Sequence, residues 1–261
     1  MLRAIHTAAT GMEAMQTNLD NVANNLANVN TTAFKKSSAE FQDLYYQTVR
    51  APGTAVTADT TSPTGVQVGV GVKTASVHKD FTPGSAKPTG NQLDVLINGD
   101  GFFSVSRENG EVAYTRDGSF KIDSQGRMMN SSGLLLNPAI TIPPNSAGVT
   151  IAPNGLVTSR DSSGQITELG TLEIVNFINP QGLMALGGNL YQASDSSGQP
   201  VQGQPGINGL GQLEQYKLEA SNVNVVNEMV NMIQAQRAYE MNSKVMSAAD
   251  QMMQVSNNVL K

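Results

Sequence analysis

The chain has 261 residues, a formal charge of −5, and charged side chains at only 14% of positions. That balance excludes a general nucleic-acid binder, which needs a basic surface to displace phosphate counterions. The complete lack of cysteine excludes disulfides, thiol catalysis and Cys-based zinc sites. Asn, Gln, Ser and Thr cover the surface instead, and such a surface is easily dehydrated against other protein.

Residues 1–33 read as a helix with a heptad seam. Ile5, Met12, Leu19 and Leu26 form one row, and Ala8, Met15, Val22 and Val29 form the second. The flanks are crowded with Asn18, Asn21, Asn24, Asn25, Asn28 and Asn30, where a solvated coiled coil would show Glu and Lys. Each Asn costs about 0.5–0.7 kcal/mol of helix propensity relative to Ala. Burial of this seam is needed to offset the backbone entropy, so the helix frays unless a partner covers it.

Residues 34–65 read as an extended connection. Pro52 and Pro63 fix φ, and Val49, Thr54, Val56, Thr57, Thr60 and Thr61 are β-branched. From the residues alone, 46–63 reads as a solvated Thr/Ala linker or as an extended segment that adds a strand to a neighbour's sheet edge. Residues 66–221 read as β. Apolar runs at 94–98, 102–106, 112–115, 119–122, 134–136, 149–151 and 172–178 alternate with Gly-containing turns such as Asp117-Gly118 and Asn154-Gly155. The spacing predicts a sandwich or barrel.

Residues 222–261 return to helix. Val225, Met232, Tyr239, Met246, Met253 and Leu260 recur every seven residues. Ala238, Val245, Met252 and Val259 run alongside, with Met241, Ala248 and Val255 adjoining. A stripe this wide is buried on more than one side, and its methionines adapt to inequivalent neighbours. Periodicity leaves two arrangements open: a hairpin closing on the first helix, or helices meeting other copies. The fold class is α+β, with terminal coiled-coil-like helices (1–33 pairing with 222–261) flanking a mainly-β middle.

No catalytic, cofactor-binding or metal-binding residue emerges, and no cofactor or small-molecule substrate is expected. Gly69 and Gly71 lie in an alternating apolar run, not in a phosphate-binding loop before a helix. Asn98-Gly99-Asp100-Gly101 lacks EF-hand ligand spacing. His6 sits beside the seam, and His78 reads as a strand end. No stretch approaches the ~18 apolar residues of a membrane span. Residues 1–6 lack the apolar run of a cleavable signal peptide, which by ordinary routes leaves a cytoplasmic protein.

Three separated motifs carry a family resemblance. Ala23-Asn24-Asn25-Leu26-Ala27-Asn28-Val29-Asn30-Thr31-Thr32-Ala33-Phe34-Lys35 resembles the N-terminal signature of the bacterial flagellar rod and hook proteins. Ser221-Asn222-Val223-Asn224-Val225, with Glu228-Met229-Val230 and Gln236-Arg237-Ala238-Tyr239-Glu240, resembles the C-terminal one. Asp100-Gly101-Phe102-Phe103 and Tyr114-Thr115-Arg116-Asp117-Gly118-Ser119-Phe120 resemble the family's core-domain motifs. Length and the stretch 46–63, with Tyr46, Val49, Pro52 and Pro63, are similar to the distal-rod branch and depart from the hook. Ala33 departs from the family motif, which commonly has Gly before Phe34.

The resemblance implies a structural subunit of a rigid helical homopolymer that carries motor torque across the periplasm to the hook. A hook-type protein is the alternative within the family, and a periplasmic peptidoglycan hydrolase the alternative outside it. The implied tube has an inner layer of terminal helices, an outer β domain, and a brace at 46–63. Its implied partners are further copies, proximal rod proteins, hook protein and the surrounding basal-body rings. Implied export through the flagellar type III apparatus, without signal cleavage, replaces the cytoplasmic expectation. The expected assembly interface comprises Ile5, Met12, Met15, Leu19, Val22, Leu26, Val29, Asn24, Asn25 and Asn28, with Val225, Met232, Tyr239, Met246, Met253 and Leu260.

Overall fold

The structure, a computed structural model, describes residues 2–53, 63–107 and 109–259. The chain divides into two compact units: Met1–Ala27, Ser37–His78 and Asn224–Lys261 form the first, and Asn28–Lys36 with Lys79–Val223 the second.

In the first unit, α1 (Leu2–Ala27) pairs with α2 (Val225–Val259). Gly11 faces Asn242, and Asn25 faces Glu228, so each step along α1 is a step back along α2. The helices are therefore antiparallel, and the two contacts lie two heptads apart. Asn224 caps α2, its Oδ1 accepting from the backbone N–H groups of Val226 at 3.0 Å and Asn227 at 3.2 Å. The helix expected over 1–33 stops at Ala27. Asn28 closes a turn instead, its carbonyl accepting from Thr31 N–H at 3.1 Å, in keeping with the weak helix propensity of Asn.

The stretch 34–65 is not simply an extended connection. It contains β1 (Ser37–Asp43) and β2 (Gln47–Arg50). Their partners are β3 (Val66–Val68), antiparallel to β2, and β4 (Val72–Lys79), which pairs with β1. The run 66–78, expected in the β domain, thus belongs with the helices. Alternation marks a strand but does not say which strand it joins. Residues 54–62, including Thr54, Val56, Thr57, Thr60 and Thr61, lie outside the described residues.

The second unit holds β5 (Ala86–Pro88), β6 (Val95–Asn98), β7 (Phe102–Ser106), β8 (Val112–Thr115), β9 (Lys121–Ile122), β10 (Met128–Met129) and β11 (Leu135–Asn137). There follow β12 (Ser146–Ile151), β13 (Leu156–Asp161), β14 (Ile166–Thr171), β15 (Ile174–Asn176), β16 (Met184–Gly187), β17 (Leu190–Gln192), β18 (Val201–Gly203), β19 (Gln212–Gln215) and β20 (Lys217–Glu219). The principal sheet runs β16-β17-β8-β7-β11-β10-β9, with β15 beside β7 and β18 beyond it. Smaller sheets join β12-β13-β14, β19-β6 and β20-β5.

Strand β7 organises the core because both its faces are covered. Side chains alternate across a strand, so Phe102 packs with Tyr114, Val175, Phe177 and Tyr191, while Phe103 joins Val105, Phe120 and Ile174. The rings meet edge-to-face, with Phe103 and Phe120 centroids 5.0 Å apart and Tyr114 and Phe177 4.8 Å apart. Gly118 sits against the Val95 carbonyl, where a Cβ would collide with backbone.

Candidate assembly interface

The α1–α2 seam is built from small and polar side chains. Glu228, Ala235, Asn242 and Ala249 recur every seven residues on α2, and Glu228, Ala235 and Ala249 are buried. The large residues of the expected row, Met232, Met246 and Met253, flank them half-buried, while Val225 and Tyr239 are exposed. Leu260 lies outside the described residues. On α1, Ala8 and Val22 are buried, and Ile5, Met12, Met15, Leu19 and Leu26 flank them, all half-exposed. Val29 is half-buried beyond the helix end. Gly11 permits close approach: a Cβ there would stand 2.8 Å from Asn242 Nδ2.

Asn25, expected to face other copies, is committed inside its own chain. Its Nδ2 donates to the Ser37 carbonyl at 2.8 Å and to Glu228 Oε2 at 3.2 Å, and its Oδ1 accepts from Ser37 N–H at 2.9 Å. The carboxamide presents one donor and one acceptor to Ser37, as a neighbouring strand would. Asn21 Nδ2 also donates to the Ser37 carbonyl, at 3.0 Å. Asn24 is exposed, and Asn28 Oδ1 accepts from Thr31 Oγ1 at 3.1 Å. Tyr46, Val49, Pro52 and Pro63 are all exposed.

Within the second unit, residues from all three motifs converge on a buried charge cluster. Glu219 Oε1 lies 2.6 Å from Lys35 Nζ, and its Oε2 lies 3.0 Å from Arg116 Nε. Gly84 N–H donates to Glu219 Oε1 at 2.9 Å. Lys35 Nζ further donates to the Thr82 carbonyl at 2.8 Å, and Arg116 NH1 to the Gly99 and Gly101 carbonyls, each at 2.8 Å. Nearly every polar atom is thereby satisfied, which is what lets a lysine stay buried. Asn222 closes the cluster's edge, accepting from Lys36 N–H and donating to the Asp80 carbonyl, both at 2.8 Å.

The electrostatics follow from two cations around one anion. Burial, then the Arg116 charge, lowers the Lys35 ammonium below its ordinary value, against the opposing pull of Glu219. Burial raises the Glu219 carboxyl, but Arg116 and Lys35 outweigh it and hold the group below its ordinary range. The cluster ties segments 33–36 and 217–223, which lead to α1 and from β20 to α2, to one β framework. Ala33, just before Phe34, has φ of 56° and donates its N–H to the Glu219 carbonyl at 2.7 Å. The left-handed conformation that the family's Gly would favour is thus present with Ala in place.

Sequence reasoning missed both arrangements. The Glu228–Ala235–Asn242–Ala249 row repeats every seven residues but is not apolar, so a hydrophobic pattern passes over it. The cluster joins groups distant in sequence, and only the motifs containing Lys35, Arg116 and Asn222 pointed towards it.

Comparison with known proteins defines the class. Residues 5–35 match a family described as flagella basal body rod protein, 96–159 the flagellar hook protein FlgE/F/G D1 domain, and 214–259 the flagellar basal body rod FlgEFG protein C-terminal. The flagellar basal-body rod protein FlgG of Borreliella burgdorferi is 48% identical over 262 residues, 99% of either chain. FlgG of Buchnera aphidicola (Schizaphis graminum) is 47% identical over 97% of this chain and 98% of that one, and FlgG of Bacillus subtilis 37% over 97% of each. The chain belongs to the FlgG family of flagellar basal-body rod proteins, the structural subunits of the distal rod. It is part of the flagellar basal body and assembles with other rod, hook and basal-body components.

Proposed function

We propose that the chain polymerises with itself into a straight helical tube that transmits motor torque across the periplasm to the hook. The observation supporting this is a second apolar face on α2. Val230, Ile233, Met241 and Val255 stand roughly half exposed on the side turned away from the α1 seam. An apolar stripe of that length marks a protein contact. Further copies supply the same stripe repeatedly, and heterologous contacts that do not close generate open filaments.

Type III export without signal cleavage delivers the subunit, with proximal rod proteins below, hook protein above and basal-body rings around it. The subunit turns nothing over. A cleft of about 660 Å³ in the second unit is lined by a single carboxylate, Asp123, which is bound to Arg127 at 2.8 Å, whereas a glycosidase needs a pair.

Purified chain viewed by negative-stain electron microscopy is expected to form straight tubes; particles that stay monomeric at every concentration would sink this reading. The segment 46–63 braces neighbouring copies, and its exposed Tyr46 and Val49 on or beside β2 are available for that contact. Its deletion is expected to give tubes that assemble but curve, and straight tubes would remove the brace. Clearing of a peptidoglycan zymogram would overturn the non-enzymatic assignment.

A further inference from the structure

Helix α2 carries a buried carboxylate that has no counter-charge among the described residues. Glu228 is 6% exposed, and its one recorded hydrogen bond is the neutral donor Asn25 Nδ2 at 3.2 Å. Among the described residues no lysine, arginine or histidine lies within ion-pair distance of it. The positive end of α2 offsets part of this charge. The contrast with Glu219, which faces two cations, is complete. Glu228 lines a cavity of about 230 Å³ together with Asn18, Asn21, Asn25, Ser37 and Asn231. The Ser37 carbonyl and Asn25 Oδ1 are already engaged, and the Glu228 carboxylate with the amide oxygens of Asn18, Asn21 and Asn231 is left to receive a group with several N–H donors.

Arg237 has the complementary problem. It is exposed, forms no ion pair among the described residues, and sits in the middle of the apolar face containing Val230, Ile233 and Met241. Glu240, one turn further on, is exposed and does not pair with it. A neighbour that covers this face also strips water from the guanidinium, which then requires a carboxylate. At about 100° per residue, the nine positions between Glu228 and Arg237 place them on opposite sides of α2.

We propose that the Glu228 pocket receives the Arg237 guanidinium of a second copy of this chain. The proposal rests on the reading that the outer face of α2 packs against other copies. The planar fork of Arg, with five donors, matches a carboxylate among amide oxygens better than an ammonium would. Because donor and pocket occupy opposite faces, each copy gives Arg237 to one neighbour and receives it from another. The contact is heterologous, does not close as a two-fold pair, and propagates along a filament.

The test measures the critical concentration for tube formation of the full chain by sedimentation, with helical content followed by circular dichroism. Glu228→Gln and Arg237→Gln are each expected to raise it about tenfold, and the double variant no more than either alone. Additive effects, or single variants without effect, would overturn the pair. Glu228→Gln also loosens the bond to Asn25, so the exchanged chain, Glu228→Arg with Arg237→Glu, provides an independent arm. It is expected to recover the tubes that each reversal alone abolishes; no recovery in a chain of unchanged helical content would overturn the proposal. Wild-type chain that never forms tubes would defeat the polymer reading itself, whereas wild-type tubes with additive variants would defeat only the pair.

Discussion

Phe102 and Phe103, adjacent in sequence, are 2% and 0% exposed on opposite faces of one strand, whereas Val225 and Val226, adjacent at the start of α2, are 40% and 68% exposed. The β unit buries its apolar side chains on both faces of its central strand and sets the buried Glu219 between Lys35 and Arg116. The helical unit buries one narrow seam of small and polar residues and leaves its larger apolar side chains outside. A unit of the first kind is complete as a monomer. One of the second kind is left with apolar surface that, on the function proposed above, other copies cover, and that division would separate folding from assembly.

The sharpest way to break the comparison is to leave charges unpaired in the β unit. Glu219→Ala strands Lys35 and Arg116 in the interior and is expected to cost the β unit about 3–5 kcal/mol in urea denaturation. A loss below about 1 kcal/mol would show that the two cations find other compensation. The same group sets an acid limit. The unfolded chain binds a proton near 4.5 that the folded chain refuses, because Arg116 and Lys35 favour the carboxylate. Its contribution is therefore fully present above pH 4.5 and is lost as pH falls through the depressed folded value. Thermal melts of the β unit are expected to flatten in pH dependence below 4.5 once Glu219 is replaced.

Leu19→Asp probes the other side. Leu19 lies on the half-exposed flank of α1, so a charge there is expected to cost the lone chain only about 1–3 kcal/mol, confined to the helices. Its effect on assembly is expected to be far larger, because the cost recurs in every subunit. Sedimentation should show loss of tubes while near-ultraviolet circular dichroism of the β unit stays unchanged. Normal tubes would place the flank outside the interface.

The sequence made the elements legible more readily than their partners. Heptad spacing located both helices, since a period near 3.5 is local information. It also placed Ala8 and Val22, both buried, in one row. It passed over Gly11 and Ala235, because large apolar residues outweigh them in any pattern count. Yet Gly11 and Ala235 are what let two helices approach closely. The strands at 102–106 and 112–115 were readable from alternation and turns. The pairing of β1 and β2 with β4 and β3 was not, because a strand's partner depends on sequence-distant backbone. Motif resemblance reached further than pattern: it singled out the segments holding Lys35, Arg116 and Asn222, although nothing in the residues disclosed a buried ion cluster.

Close helix approach gives a smaller, more local test. Gly11→Leu forces a side chain into the space of Asn242 and is expected to cost about 1–3 kcal/mol by overpacking, despite the better helix propensity of Leu. Replacing Asn242 with Ala in the same chain should recover part of that loss, because it removes the opposing side chain. Equal stability of the two variants by helical circular dichroism would mean that the seam has room to spare.

The smallest expected effect is at Ala33, where two opposing terms nearly balance. A φ of 56° costs an L-residue roughly 1–2 kcal/mol, which Ala33→Gly would relieve. Glycine also frees the unfolded chain, at a cost of about 0.4–1 kcal/mol, and removes a methyl that is 1% exposed, worth up to about 0.8 kcal/mol. The net change is expected within about 1 kcal/mol of zero in urea denaturation. Ala33→Val separates the terms, because a branched Cβ worsens the left-handed strain and adds volume where the chain is closed. It should destabilise by about 2 kcal/mol or more, while the Ala33 N–H bond to the Glu219 carbonyl is formally available in all three chains. Equal stability of the Gly and Val variants would mean that the turn after α1 relaxes freely, and that Glu219, not the backbone at position 33, fixes the path of the chain into the β unit.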